Sequence, residues 1–184
     1  MRNNLRRIAK SSLIGLTFVL ISMNAYAQEL LVSTGVGPYA LYRVGVKGGK
    51  VTTLANFTAV PFDVKTSADG KMAYVSLPGN NSVEAFDFTT GILASIGTGS
   101  NPQKMVLNAA GTRLFVATST DVTTIDTATN TVLPAESISL APYGGNGYAI
   151  AISGGFLAAG TQFNVVLCDV IGSSARLCCK PADV

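Results

Sequence analysis

The sequence contains no histidine and no tryptophan among its 184 residues, and only 12% of them are charged. Without histidine, the commonest general base and the commonest transition-metal ligand are missing. No G-x-S-x-G elbow and no S-x-x-K arrangement compensates for this. Cysteine is scarce and late: Cys168, Cys178 and Cys179 are the only three, so any single bridge leaves one thiol over. Adjacent cysteines without histidine or a second cysteine pair are not a zinc pattern. Either Cys168 bonds Cys178 or Cys179 in an oxidising compartment, or the three are idle thiols in a divergent tail. Also missing, after the first 27 residues, is any amphipathic helical period.

Residues 1–27 have the layout of a secretory signal. Arg2, Arg6, Arg7 and Lys10 precede an apolar run from Leu13 to Met23, and Ala25-Tyr26-Ala27 forms an A-x-A cleavage site before Gln28. The run is short for a membrane-spanning helix, so cleavage is expected rather than an uncleaved anchor. No cysteine follows it to carry a lipid. Four of the 13 basic residues and none of the 10 acidic ones lie in this segment. The net charge of +3 therefore becomes −1 over the remaining 157 residues, and no basic patch is left to attract nucleic acid or an anionic membrane. The expected location is the periplasm or the medium.

What remains is self-similar. Pro61-Phe-Asp-Val-Lys-Thr-Ser-Ala-Asp-Gly-Lys-Met-Ala-Tyr-Val75 aligns with Pro102-Gln-Lys-Met-Val-Leu-Asn-Ala-Ala-Gly-Thr-Arg-Leu-Phe-Val116, placing Gly70 and Gly111 41 residues apart. Val83-Glu-Ala-Phe-Asp87 then aligns with Val122-Thr-Thr-Ile-Asp126 at a spacing of 39. Weaker copies lie at 149–169 and 30–56. A period near forty built of short strands and turns predicts one four-stranded sheet per repeat, as in a β-propeller blade. Strands are expected near 62–67, 72–76, 82–88 and 91–97, then 103–108, 112–118, 121–126 and 131–139, then 148–153, 155–160, 163–168 and 175–179. The first copy shows only 30–34, 39–46 and 50–56, and its inner strand is expected from beyond residue 179. Blades are thus placed at about 28–59, 60–100, 101–140 and 141–184. Asp69-Gly70 suits a tight hairpin, and Pro61, Pro102 and Pro142 mark the crossings between blades. Val64, Met105 and Ile150 hold equivalent core positions on the inner strands.

The segments Ala68-Asp-Gly-Lys-Met-Ala-Tyr-Val75, Asn81-Ser-Val-Glu-Ala-Phe-Asp87 and Val122-Thr-Thr-Ile-Asp-Thr-Ala-Thr-Asn130 resemble the YVTN-type β-propeller repeat family of bacterial exported and archaeal surface-layer proteins. The likeness is strong over 60–140, weaker over 28–59 and 141–170, and absent afterwards. Family propellers usually have about seven blades, whereas three blades and three strands are counted here. The expected fold is therefore all-β, an incomplete propeller forming an open arc. Such a chain is either a truncated product or a half that needs a partner, and its open edges favour self-association.

Function is less legible, because a fold does not fix an activity. Asp87, Asp126 and Asp169 recur at one repeat position and are read as turn-forming residues rather than a carboxylate ring. Gly35-Val-Gly37 and Gly97-Thr-Gly99 open no helix, so they are blade connections and not phosphate loops. Lys65, Lys104 and Arg113 are read as isolated charges. Topology gathers the blade-to-blade loops and the loops between second and third strands on one face. That face would hold Asn80, Asn81, Asn101, Gln103, Thr120, Tyr143, Asn146, Tyr148 and Gln162. Amide and tyrosine groups on rigidly mounted loops suit peptide or glycan contacts. The expectation is a non-catalytic module that binds a protein or small ligand, with no cofactor and no metal. The alternatives are an enzyme like the propeller lactonases or quinoprotein dehydrogenase subunits that the family resembles, or a remnant without activity of its own.

Overall fold

A computed structural model describes residues 19–23, 29–34, 37–45, 48–171, 174–175 and 180–181. Every repeat folds into its own antiparallel sheet. The first holds β1 (Val19–Met23), β2 (Glu29–Thr34), β3 (Ala40–Gly45) and β4 (Val51–Asn56). The second holds β5 (Asp63–Thr66), β6 (Met72–Leu77), β7 (Ser82–Asp87) and β8 (Leu93–Gly97). The third holds β9 (Met105–Leu107), β10 (Arg113–Ala117) and β11 (Asp121–Asp126). Its outermost strand is split into β12 (Thr131–Val132) and β13 (Ile138–Ser139), because Pro134 starts a 3-10 turn between them and cannot donate to a ladder. The fourth holds β14 (Ala149–Ser153), β15 (Phe156–Gly160) and β16 (Val165–Ile171), edged by β17 (Ser174–Ala175) and β18 (Lys180–Pro181).

The turns follow their residues. Gly70 and Gly111 adopt φ of +70° at the tips of the first hairpins of the second and third blades. Left-handed backbone there is cheap for glycine and costly for any residue with a β-carbon. Asp87 Oδ1 accepts the backbone N–H groups of Thr89 (2.7 Å) and Thr90 (3.2 Å). Asp126 Oδ1 accepts those of Ala128 (2.9 Å) and Thr129 (3.1 Å), so both carboxylates close turns as their periodicity suggested. Asp169 is different: it lies inside β16, paired with Phe156.

Successive sheets pack face to face. The inner strand β5 lies against β1 and β9, and β9 lies against β14. Leu41 meets Val64, Ala73, Val75, Leu77 and Phe86 between the first and second sheets. Tyr74, Val83 and Ala85 meet Met105, Leu114 and Val116 between the second and third. Phe115, Val122 and Ile138 meet Leu157, Ala159 and Val166 between the third and fourth. Middle sheets bury both faces, which is why their strands read as continuous apolar runs. Among the described residues no ladder joins the first sheet to the fourth, so the sheets stay open.

Two expectations about the ends need correction. The first sheet does have an inner strand, and it comes from the apolar run: Val19–Met23 pairs with Leu30–Thr34. Leucine, isoleucine and valine serve an extended strand as well as an export signal, so composition alone could not expose this second use. The tail does not supply that strand either. Lys180 and Pro181 pair with Leu167 and Val166 of β16, where a proline is tolerated because the strand lies at an edge. The expected strand over 175–179 falls mostly outside the described residues.

Candidate functional site

The blade-to-blade loops and the loops between second and third strands form one hydrogen-bonded rim. Asn80 Nδ2 donates to Thr58 Oγ1 (2.8 Å), and the Asn101 N–H donates to Asn81 Oδ1 (2.9 Å). The Ser119 N–H donates to the Ser100 carbonyl (2.8 Å), and Asn146 N–H to the Ser119 carbonyl (2.6 Å). Leu140 N–H reaches the Thr120 carbonyl (2.9 Å). Thr161 Oγ1 and Asn164 Nδ2 both donate to the Tyr143 carbonyl at 3.0 Å. Each loop is thus tied to the next, from the first crossing to the last.

The structure divides the nine candidate residues into two groups. Asn81, Asn101 and Asn146 have φ of 54°, 57° and 51°, a left-handed backbone that asparagine, like glycine, tolerates, so the fold itself accounts for these residues. Gln103 is buried; its N–H donates to the Ala117 carbonyl (2.8 Å) and its carbonyl accepts the Ser76 hydroxyl (2.7 Å). Tyr143 is half-buried. Asn80, Thr120, Tyr148 and Gln162 present exposed side chains, as does Asn81. Replacing Asn101 with alanine is expected to cost about 1 kcal/mol through its left-handed backbone, whereas Asn101→Gly should be near neutral, as chemical denaturation would read.

Sequence reasoning passed over Phe163. It is 73% exposed, in the β15–β16 loop beside Gln162. Its ring lies against Gly144, where a β-carbon would come within 3.0 Å of it. The available signal was a lone aromatic in the polar stretch Thr161-Gln162-Phe163-Asn164.

The three cations read as isolated are not. Arg113 donates from Nη1 to Asp126 Oδ2 (2.8 Å) and from Nε to Glu136 Oε2 (2.9 Å). Lys65 and Lys104 flank Asp63 at 3.4 and 3.8 Å, and the Lys104 ammonium also lies 5.5 Å from the centre of the Phe62 ring. Asp63 itself is buried and accepts the Met105 N–H at 2.9 Å, bridging the second and third blades. At the other end of the blades, a groove of 380 Å³ lies between the β9–β10 and β14–β15 turns, lined mainly by Leu107, Ala110, Ile152 and Gly154. Among the described residues no cluster of three or more His, Cys, Asp or Glu is placed to hold a metal ion. Cys168 is disulfide-bonded, and its two potential partners, Cys178 and Cys179, lie outside the described residues.

The Asp126 carboxyl is held below its ordinary value of 3.8 first by the Thr129 N–H, then by the Ala128 N–H and by Arg113. A depressed folded value means that this group stabilises the fold above pH 3.8 and that the contribution is lost as pH falls through the folded value. Melting temperature should therefore fall on acidification from about pH 5 to about pH 2, and Asp126→Asn should flatten that slope.

A scan of family models finds no match to this chain, and neither does a search of curated proteins. Solved structures do match. Hydrazine synthase of Kuenenia stuttgartiensis superimposes with a TM-score of 0.71 at 20% identity, over 90% of this chain and 52% of that one. The Swd1 β-propeller domain of Myceliophteria thermophila superimposes with a TM-score of 0.64 at 12% identity, over 82% of this chain and 55% of that one. The fold is that of a β-propeller. A candidate 6-phosphogluconolactonase of Bacteroides uniformis also matches, with a TM-score of 0.66 at 15% identity, over 86% of this chain and 55% of that one. The propeller chain thus spans about half the length of the solved structures it matches. At these identities the likeness concerns the fold alone. Among the described residues no helix is long and apolar enough to cross a membrane.

Proposed function

We propose that this chain is an exported, non-catalytic β-propeller module of the YVTN-like type, whose loop face binds a protein or a small ligand in the periplasm or at the cell surface. The observation that carries this reading is the tied rim. Loops joined to one another from Thr58 to Asn164 form a preorganised surface, so little conformational entropy is lost when a ligand docks. The exposed Tyr148 and Phe163 provide rigid aromatic contact area, and Asn80, Thr120 and Gln162 provide polar contacts around it. Asp121, a carboxylate beside Thr120, is already engaged by the Thr120 and Thr123 hydroxyls at 2.9 and 2.5 Å.

Export rests on the signal-like residues 1–27, and the exported protein should begin at Gln28 by N-terminal sequencing, a cleavage that takes β1 with it and leaves β2 as the inner edge of the first sheet. Recovery of the full-length chain from the inner membrane would overturn that part. The binding reading is tested with glycan and peptide panels together with a sugar-lactone hydrolysis assay. Saturable binding that is weakened at least roughly tenfold by the pair Tyr148→Ala and Phe163→Ala supports it. Lactone turnover above background would establish the enzyme reading instead.

A further inference from the structure

The flanks of the blades carry a second message, independent of the loop face. Val83, Val122 and Val165 occupy one repeat position on the third strand of their blades, paired with Ser76, Ala117 and Gly160. Two residues along the strand, Ala85, Thr124 and Leu167 pair with Tyr74, Phe115 and Ala158. This is the side on which each blade covers the next: Tyr74 and Val83 pack against the third blade, and Phe115 and Val122 against the fourth. In the second and third blades all of these residues are buried. In the fourth, Val165 is 45% exposed, Leu167 42% and Phe156 56%.

The fourth blade therefore carries a mainly apolar face, ending at Asp169, of the same residue pattern as two interfaces already formed within the chain, and among the described residues nothing packs on it. Ala149 and Ala151 are exposed there too, and Ala158 stands where the earlier blades have Tyr74 and Phe115, so the face is flat. A flat apolar sheet face matches another sheet rather than a single inserted side chain.

We propose that this face is covered by a second copy of the chain, joined sheet to sheet in the manner of the interfaces between its own blades. One point favours a copy of itself: the face continues interfaces that this sequence already makes between its second and third and its third and fourth blades, so the complementary chemistry is its own.

Sedimentation of the exported chain tests this. A dimer at micromolar concentration is expected, with Leu167→Glu raising its dissociation constant at least roughly tenfold while far-UV circular dichroism is unchanged. Phe156→Lys, on the same face, replaces that variant if it fails to fold. Gln162→Glu, on the loop rim, should leave the dimer intact. Concentration-dependent amide protection across β14 and β16 of the unsubstituted chain reads the same contact without any variant. A monomer at all concentrations overturns the proposal, and so does a dimer or larger assembly that both charged substitutions leave intact.

Discussion

Phe115→Ala is expected to lower the free energy of unfolding by about 3–5 kcal/mol. The ring is fully buried between the third and fourth blades, packed with Val122, Leu157, Ala159 and Val166. Truncation removes its transfer free energy and leaves a cavity that two opposed sheets cannot readily close. The buried clusters lie between successive sheets, so the loss should fall on the junction with the fourth blade and broaden the unfolding transition. Urea denaturation followed by tyrosine fluorescence is clean here because the chain has no tryptophan. A loss below about 1 kcal/mol would mean that the two sheets do not pack as described.

The second large effect belongs to Asp63→Ala. Its carboxylate accepts the N–H of Val64 at 3.0 Å and that of Met105 at 2.9 Å, the latter across a blade boundary. Removal strands the Met105 N–H beside a buried side chain, which costs about 1–3 kcal/mol. The lysines add little, because Lys65 and Lys104 are 36% and 41% exposed and water screens them. Two controls follow from that division. Asp63→Asn keeps an acceptor for the amides and should recover most of the loss, and Lys104→Ala should change stability by less than about 0.5 kcal/mol. If Lys104→Ala proves as damaging as Asp63→Ala, the ion pair rather than the amide is what matters.

The sheets were legible in the sequence wherever two copies could be laid side by side. Gly70 against Gly111 and Tyr74 against Phe115 fix both register and turn, and the strands of the second and third blades fall within about two residues of expectation. The first inner strand was hidden because Val19–Met23 sits in a run whose composition serves export equally well. The site was legible as topology but not as chemistry. Loop order places Asn81, Asn101 and Asn146 on one face, yet it cannot tell an amide offered to a ligand from one chosen for left-handed backbone. Phe163 was missed for the opposite reason: its exposure depends on Gly144 making room beside it, a contact between two loops that no local pattern encodes.

Asn146 precedes Gly147, the dipeptide most prone to cyclise when the glycine nitrogen is free to attack the asparagine side chain. That nitrogen is not free. It donates to the Thr118 carbonyl at 2.8 Å, and Gly147 itself is buried, with Leu140 and Ala117 closing over it. Chemical ageing at this bond is thus suppressed in the native protein and switched on when the rim opens. Isoaspartate accumulating at position 146 in stored material would be a slow, cumulative record of how often the crossing into the fourth blade comes undone.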